Sequence, residues 1–489
     1  MANQKKLIDI SDQEIEAIYD SGKEATVSFI RTLIDKINDL AIIVEKQQQE
    51  IDHLKSIINK DSHNSSKPPS SDSPFKKKKK TNSLRKKGGK VGGQPGRKGS
   101  NLEQSNNPDI IKQLKPSGRC SCGKKKSQGK IIGAEKRQVF DLPEIKIQVT
   151  EYQAQIHKCD CGKIHSADFP EGLNIHAQYG ENIKALVVYL KHYGFMSYER
   201  LQDFIKDVIN QKISQGTLVN MVNECAKKME PFTQQIKASL IKSDLIHFDE
   251  TGFRIEGERH WLHSAGNNNL TFYNPHKFRG KKAMDDIGIL PFFKGIAVHD
   301  HYLSYFKYVL CMHALCNAHH LRELIFFAEQ EEEWAGKIIN CLLDAKEEKD
   351  QGLDFSYKRI NYYRNRLNRL LNEGLKMHPV HEKTHKARGR PKQSKQHNLL
   401  RRMKARIDEV FRFILEKIVP FDNNLAERDV RMAKVQQKIS GTFRSFTGAI
   451  NFCTIRSYIS TARKQNISVF QAIAFSFKNQ MIISVNCGE

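Results

Sequence analysis

Apolar residues recur on alternating three- and four-residue steps at Ile30, Leu33, Ile37, Leu40, Val44, Ile51, Leu54 and Ile58, and only Gln47 breaks the seam. After an N-terminal tail (residues 1–24), this rhythm of about four heptads predicts a coiled coil over residues 25–60, with Gln47 as a register or partner selector. The competing reading is one helix packed on its own domain, but the polar sequence that follows offers it nothing to pack on. Between Tyr179 and Phe232, inside a segment spanning residues 171–240, the period is helical in NIKALVVYLKHYG, RLQDFIKDVI and TLVNMVNECAKKM. The turn NQKISQGTLVNMV, with Ser214 as N-cap, fits entry to the recognition helix of a helix-turn-helix, and a plain helical bundle fits equally well.

From residue 241 the period changes to two. Leu245–Phe248 reads as a buried strand ending at Asp249, and HWLHSA and LTFYNP as two more separated by GNNN. RGKKAMDDIGIL reads as a helix, Gly295–His299 as a strand ending at Asp300, and YVLCMHALC as a further strand. This core (residues 241–316) is interrupted by a mostly helical insertion (317–420). It resumes in helices over 421–465, ahead of a C-terminal segment (466–489). The fold class expected is multidomain and mostly α, with one α/β domain.

At 489 residues the chain exceeds what one hydrophobic core organises. Its 80 Lys and Arg against 55 Asp and Glu leave a net charge of +25, which suits a polyanionic partner, RNA-binding roles included. No apolar run approaches the roughly 20 residues of a membrane helix. The start, MANQKKLIDISDQEIE, lacks the apolar stretch of a signal peptide. Ten Cys in so long a chain make no disulfide scaffold, so the expected location is the cytoplasm.

Charge concentrates in residues 61–107, a basic flexible linker. Lys76, Lys77, Lys78, Lys79, Lys80, Arg85, Lys86, Lys87, Lys90, Arg97 and Lys98 stand among glycines with no acid between them. Such a stretch neutralises nucleic-acid phosphates with steep salt dependence and little sequence information, or else is a solvated linker with no ligand. Residues 108–170 carry Cys120-Ser-Cys122-Gly and Cys159-Asp-Cys161-Gly around strand-like sequence (VFDLPEIKIQVTEYQAQIH). Two thiolate pairs on glycine-ended knuckles suit a structural Zn²⁺ in a small ribbon-like domain, with His157 or His165 able to replace a thiolate. Unlinked free cysteines are the alternative.

Asp249 and Asp300, each at a strand end, are joined as candidates by Glu427 in FDNNLAERDVRMAKVQQK. A capping box headed by Asn423 or Asn424 would account for Glu427 alone. It leaves unexplained Arg428, Arg431, Lys434 and Lys438, which give that helix a basic face. Three converging carboxylates suit Mg²⁺ (or Mn²⁺), a hard ion that keeps sites for water and phosphate. A pair of such ions serves phosphodiester displacement. No Walker or G-x-G-x-x-G signature supports nucleotide hydrolysis or dinucleotide chemistry.

The blocks NSSKPPSSD, GGQPGRKGS, HFDETG, VHDHYLSY, HALCNAHHLREL and DNNLAER resemble the transposases of insertion-sequence family sixty-six, in the family's order and over most of the chain. The resemblance implies a DDE transposase with an RNase H-like catalytic domain in which Asp249, Asp300 and Glu427 are the acidic triad. It implies double-stranded DNA as partner, both element ends and target, and a nucleoid-associated protein of the bacterial cytoplasm. Self-association through the coiled coil and accessory proteins of the same element fit it too. Arg428 and Arg431 are the candidates for stabilising the reacting phosphate. In the insertion, Arg388 and Arg390 flank Gly389 as in an AT-hook that lies in a narrow minor groove, or form an exposed basic loop. Cys316-Asn-Ala-His319, with His313 and His320 close by, reads as a packed or hydrogen-bonded motif before it reads as a zinc site. Two other functions share parts of this pattern: an RNase H-like nuclease that does not join strands, and a catalytically idle DNA-binding regulator.

Overall fold

The structure, a computed structural model, describes residues 11–61, 64–65, 101–173, 175–380, 391, 393–480 and 482–485. It is mostly helical with a mixed sheet and divides into two compact units, residues 1–79 with 313–423, and residues 80–312 with 424–489. Among the described residues, no helix is long and apolar enough to cross a membrane.

The first unit is helical. Helix α1 (Asp12–Asp20) opens with a capping box: the Glu14 N–H donates to Ser11 Oγ at 3.3 Å and the Ser11 N–H to Glu14 Oε2 at 2.9 Å. Helix α2 (Lys23–Ile58) then runs unbroken for 36 residues, about 54 Å. Ile30, Ile37, Leu40, Val44, Ile51, Leu54 and Ile58 of its heptad seam are all exposed. The described residues of the second part of this unit form α7 (Asn317–Ala328), α8 (Glu333–Asp350), α9 (Tyr357–Met377), α10 (Lys395–Ala405), α11 (Ile407–Val410) and α12 (Arg412–Leu415). Cys316 is buried there, its thiol accepting the Asn423 N–H at 3.1 Å.

In the second unit, Cys120 and Cys159 begin two turns of the same shape. Each cysteine N–H donates to the carbonyl four residues on, Lys124 at 2.9 Å and Lys163 at 2.8 Å. Each following glycine N–H, Gly123 and Gly162, donates back to the cysteine carbonyl at 2.8 Å. The strand-like sequence between them forms far less sheet than its pattern suggests. Only β1 (Ile156–Lys158) and β2 (Ile164–Ser166) pair, as a hairpin around the second turn. Val139–Gln155 is irregular, with Val139, Phe140, Leu142 and Val149 exposed, because no facing strand or helix among the described residues covers its apolar positions.

Helices α3 (Glu181–Val188), α4 (Tyr198–Ile209) and α5 (Gln215–Ile241) share a core of Val187, Leu201, Ile205, Ile209, Leu218 and Met221. Asn210 in the left-handed region ends α4, and Ser214 caps α5 by accepting the Thr217 N–H at 3.1 Å. Helix-turn-helix connectivity is therefore present. Most of α5 is nevertheless a core helix, burying Leu218, Met221, Val222, Cys225, Ala226 and Met229.

The central sheet contains β3 (Leu245–Ile255), β4 (Glu258–Gly266), β5 (Thr271–His276) and β6 (Ile296–His299), in the order β5-β4-β3-β6, with helix α6 (Lys281–Ile287) ahead of β6. A last strand, β7 (Met312–Leu315), leads the chain out of the unit. β3 does not end at Asp249, as the apolar run alone suggests. The alternation continues through Phe253 and Ile255 to a two-residue turn at Glu256 and Gly257, both with positive φ, and β4 returns antiparallel. β6 pairs with β3 in parallel and enters beside Asp244 so closely that a Cβ on Gly295 would lie 2.4 Å from the Asp244 carbonyl oxygen.

Residues alternate between the two faces of the sheet. Ile246 and Phe248 lie in a core with Met284, Phe293 and Tyr305. Phe253, Ile255 and Leu262 pack on Val430 and Ala433 of α13 (Asn424–Ser440) and on Phe452 of α14 (Phe446–Lys464). A last helix, α15 (Val469–Phe477), adds Ala472 and Ile473 to the larger core. Strand β5 lies at the sheet edge, and α14 supplies acceptors for it: Thr461 Oγ1 takes the Thr271 N–H at 3.0 Å and Ser457 Oγ the Tyr273 N–H at 2.8 Å. The isosteric change Thr461→Val should leave a buried N–H unpaired and cost about 1–3 kcal/mol. The denaturant midpoint should fall accordingly, and an unchanged midpoint would show that the edge is closed in another way.

Candidate active site

The β3–β6 register pairs Leu245 with Ile296 and His247 with Val298. Carried two residues further, it sets Asp249 beside Asp300 on neighbouring chains, which in a sheet run about 4.8 Å apart. Asp249 is half-buried on the face that packs on α13. That helix is tied to the sheet and to α14. Lys434 Nζ donates to the Gly252 carbonyl, Tyr273 OH donates to the Asp429 carbonyl at 3.1 Å, and Lys464 Nζ pairs with Asp429 Oδ2 at 2.9 Å. These contacts bring Glu427, in the first turn of α13, near enough for its charge to act on Asp249, although Asp249, Asp300 and Glu427 do not meet at one metal-sized point among the described residues.

Electrostatics links the three acids. Desolvation raises the Asp249 carboxyl well above the usual carboxylate range, and the charges of Glu250, Asp300 and Glu427 add to it. The Glu250 N–H, donating to Asp249 Oδ1 at 2.9 Å, opposes the rise. Asp300 Oδ1 accepts the Tyr302 N–H at 2.8 Å, which fixes its rotamer just beyond β6. The carboxylates of Asp249 and Asp300 offer hard oxygens in a field of like charge that Arg279 meets only at 3.9 Å. These residues therefore suit a divalent cation such as Mg²⁺ or Mn²⁺.

A fourth acid, Glu250, escapes sequence reasoning. Adjacent strand residues face opposite ways, so it points away from α13. Its buried carboxylate accepts Arg279 Nε at 2.7 Å and Tyr305 OH at 2.5 Å. Burial and the Asp300 charge raise its proton affinity, while Tyr305 and Arg279 lower it. Arg279 Nη2 lies 3.9 Å from Asp300 Oδ2, so one guanidinium spans both acids. His299 stacks on Tyr305 at 4.4 Å and completes the packing behind them. The available signal was the doublet Asp249-Glu250 inside a period-two run, with Arg279 directly after the third strand.

Of the basic residues expected along α13, Arg428, Arg431 and Lys438 are exposed. Lys434 is not part of an open face, because its ammonium is half-buried on the Gly252 carbonyl. Cys120, Cys122, Cys159 and Cys161 are exposed, and no three of them gather around one metal-sized point among the described residues. Hydrogen bonds from the Cys122 and Cys161 backbone lower the Cys120 and Cys159 thiols. Lys76–Lys80, Arg85, Lys86, Lys87, Lys90, Arg97, Lys98, Arg388 and Arg390 lie outside the described residues.

A sheet whose adjacent parallel strands carry two aspartates, with a glutamate on the helix packed beneath, defines a carboxylate-centred site in a mixed α/β unit. Over residues 176–451, more than half of its length and the whole of this site, the chain matches the model of the Transposase IS66 family. The chain belongs to that family. Residues 20–103 match a second model, a family of unknown function. No curated protein matches the chain.

The raised Asp249 carboxyl fixes the sign of a pH effect. The folded chain holds this proton where the unfolded chain has lost it, so the group weakens the fold as pH rises above the ordinary carboxylate range. In chelator at neutral pH, Asp249→Asn should melt a few degrees higher than the native chain, about 1 kcal/mol being worth roughly 2–4 °C in a domain of this size. That advantage should vanish as pH falls below the ordinary carboxylate range. An Asn variant that melts lower throughout would contradict the electrostatic picture.

Proposed function

We propose that the chain is a DDE transposase that cuts the 3′ ends of an insertion sequence and joins them to target DNA. The observation that carries this reading is the shared field of Asp249, Asp300 and Glu427, drawn from two parallel strands and one helix. In each step one P–O bond forms as another breaks, first with water and then with the freed 3′-hydroxyl as nucleophile, so no covalent enzyme intermediate is needed. Asp249, Asp300 and Glu427 would hold Mg²⁺ or Mn²⁺, which when bound activates the attacking oxygen and stabilises the leaving one. Arg428 and Arg431, exposed one turn apart beside Glu427, supply positive charge for the phosphate.

Other parts of the chain serve DNA and assembly in this reading. The basic linker of residues 61–107 neutralises phosphates along the duplex, with Arg388 and Arg390 as a minor-groove contact. The turn between α4 and α5 is the candidate for end recognition. Two knuckles of one shape, with lowered Cys120 and Cys159 thiols, support structural Zn²⁺ held by Cys120, Cys122, Cys159 and Cys161. The exposed seam of α2 supports pairing with a second copy. Proteins of the same element are the further partners this family reading brings.

With DNA carrying the ends of the element, Asp249→Asn, Asp300→Asn and Glu427→Gln should each lower strand joining by at least about 10³-fold while DNA retention in a gel stays near native. An uncatalysed phosphodiester displacement is slow enough for the loss to be that deep. Cleavage without joining in the native chain would favour a nuclease, and joining indifferent to the acids would favour a regulator. Placing a charge in the α2 seam, as in Ile37→Glu, should shift the chain from dimer or higher to monomer by light scattering. An unchanged mass would remove α2 from the assembly.

A further inference from the structure

On the face of the sheet opposite α13, cations and aromatic rings alternate. Arg259 and Trp261 sit two apart on β4 and so share that face. The Arg259 guanidinium carbon is 4.7 Å from the Trp261 ring centroid, and that of Arg279 is 5.0 Å from the same ring. Arg279 in turn lies 4.2 Å from the Tyr302 ring centroid. Gly252, paired with Trp261 across the strands, leaves room for this column: a Cβ there would already touch Arg259 Nε at 3.6 Å. The column is not buried away, since Arg259 is exposed and Trp261, Arg279 and Tyr302 are half-buried.

Its inner end is the acidic site. Arg279 is fixed through Nε to the buried Glu250. Its terminal nitrogens have no hydrogen-bond acceptor among the described residues, although Nη2 lies 3.9 Å from Asp300 Oδ2. Two guanidiniums and two rings in alternation match the alternating chemistry of an unpaired nucleotide, a flat base and an anionic phosphate. Bases stack on aromatic and guanidinium planes only when their faces are free, so such a column selects unpaired over paired DNA.

We infer that Arg259, Trp261, Arg279 and Tyr302 seat an unpaired DNA nucleotide next to the phosphate on which the acidic site acts. The inference rests on the transposase reading for the identity of that phosphate. The base stacks on the column, Arg279 and Arg259 face the flanking phosphates, and the frayed strand is thereby led to Asp300, which Arg279 approaches at 3.9 Å.

The test uses the full chain in chelator at about 0.2 M salt, where linker contacts are weakened. The probes are a fluorescein-labelled oligo(dT) of roughly 20 nucleotides, longer than one such groove covers, and a duplex of equal length. Trp261→Ala should weaken oligo(dT) binding by about tenfold, the effect of losing one stacked base, and leave duplex binding within about twofold. Trp261→Phe, which keeps a ring, should retain most of the affinity for oligo(dT). Equal loss for both probes, or no loss for either, overturns the inference. Strand joining by Asp249→Asn is measured in parallel. If that variant joins ends like the native chain, the transposase reading falls; if it does not, and Trp261→Ala binds oligo(dT) normally, only the nucleotide seat falls.

Discussion

Asp249 is desolvated and lies in the field of Glu250, Asp300 and Glu427, so the apo chain holds negative charge in a place that disfavours it. Arg279 relieves only part of this, because its Nε is bonded to Glu250 and it reaches Asp300 at 3.9 Å. The rest of the second unit is arranged to keep this unfavourable cluster from relaxing. Parallel pairing of β3 with β6 aligns the two aspartates, and the Tyr302 N–H fixes the second of them. Bonds from Lys434, Tyr273 and Lys464 hold α13, and with it Glu427, against the sheet and α14. Packing stability thereby holds like charges in one another's field.

The two faces of the sheet divide the work. Asp249 faces α13 and its glutamate, whereas Glu250, one residue on, faces Arg279, Tyr305 and the column built on Trp261. A single dipeptide thus joins the acidic centre to a cationic, aromatic surface, and Gly252 two residues later leaves that surface its space. The sheet's free edge is closed from within the same unit by hydroxyls of α14.

Much of this was readable from the order of residues. The period change at residue 241, the strands before and after α6, and the position of Asp300 just beyond β6 follow from apolar patterning and turn chemistry. Ser214 as a cap and the long α2 helix were equally visible, because capping and heptads are local. What depended on distant partners was not. Asp249 appeared to end its strand because Glu250, Thr251 and Gly252 break the apolar run, yet β4 supplies a full antiparallel partner there. Lys434 has the spacing of one more surface cation, but its ammonium is held by the Gly252 carbonyl, 182 residues away in sequence. The apolar stretch from Val139 onward has strand composition, but composition alone provides no facing strand.

Burial and the neighbouring acids raise the proton affinity of Asp249, so a divalent cation binds there in competition with a proton. Calorimetric titration of the full chain with Mn²⁺, repeated in two mildly acidic buffers of different ionisation enthalpy, measures the protons released per ion bound. Protons should be released on binding, and both binding and release should be lost in Asp249→Asn. Tight binding with no proton released, or binding unchanged in the Asn variant, would contradict that competition.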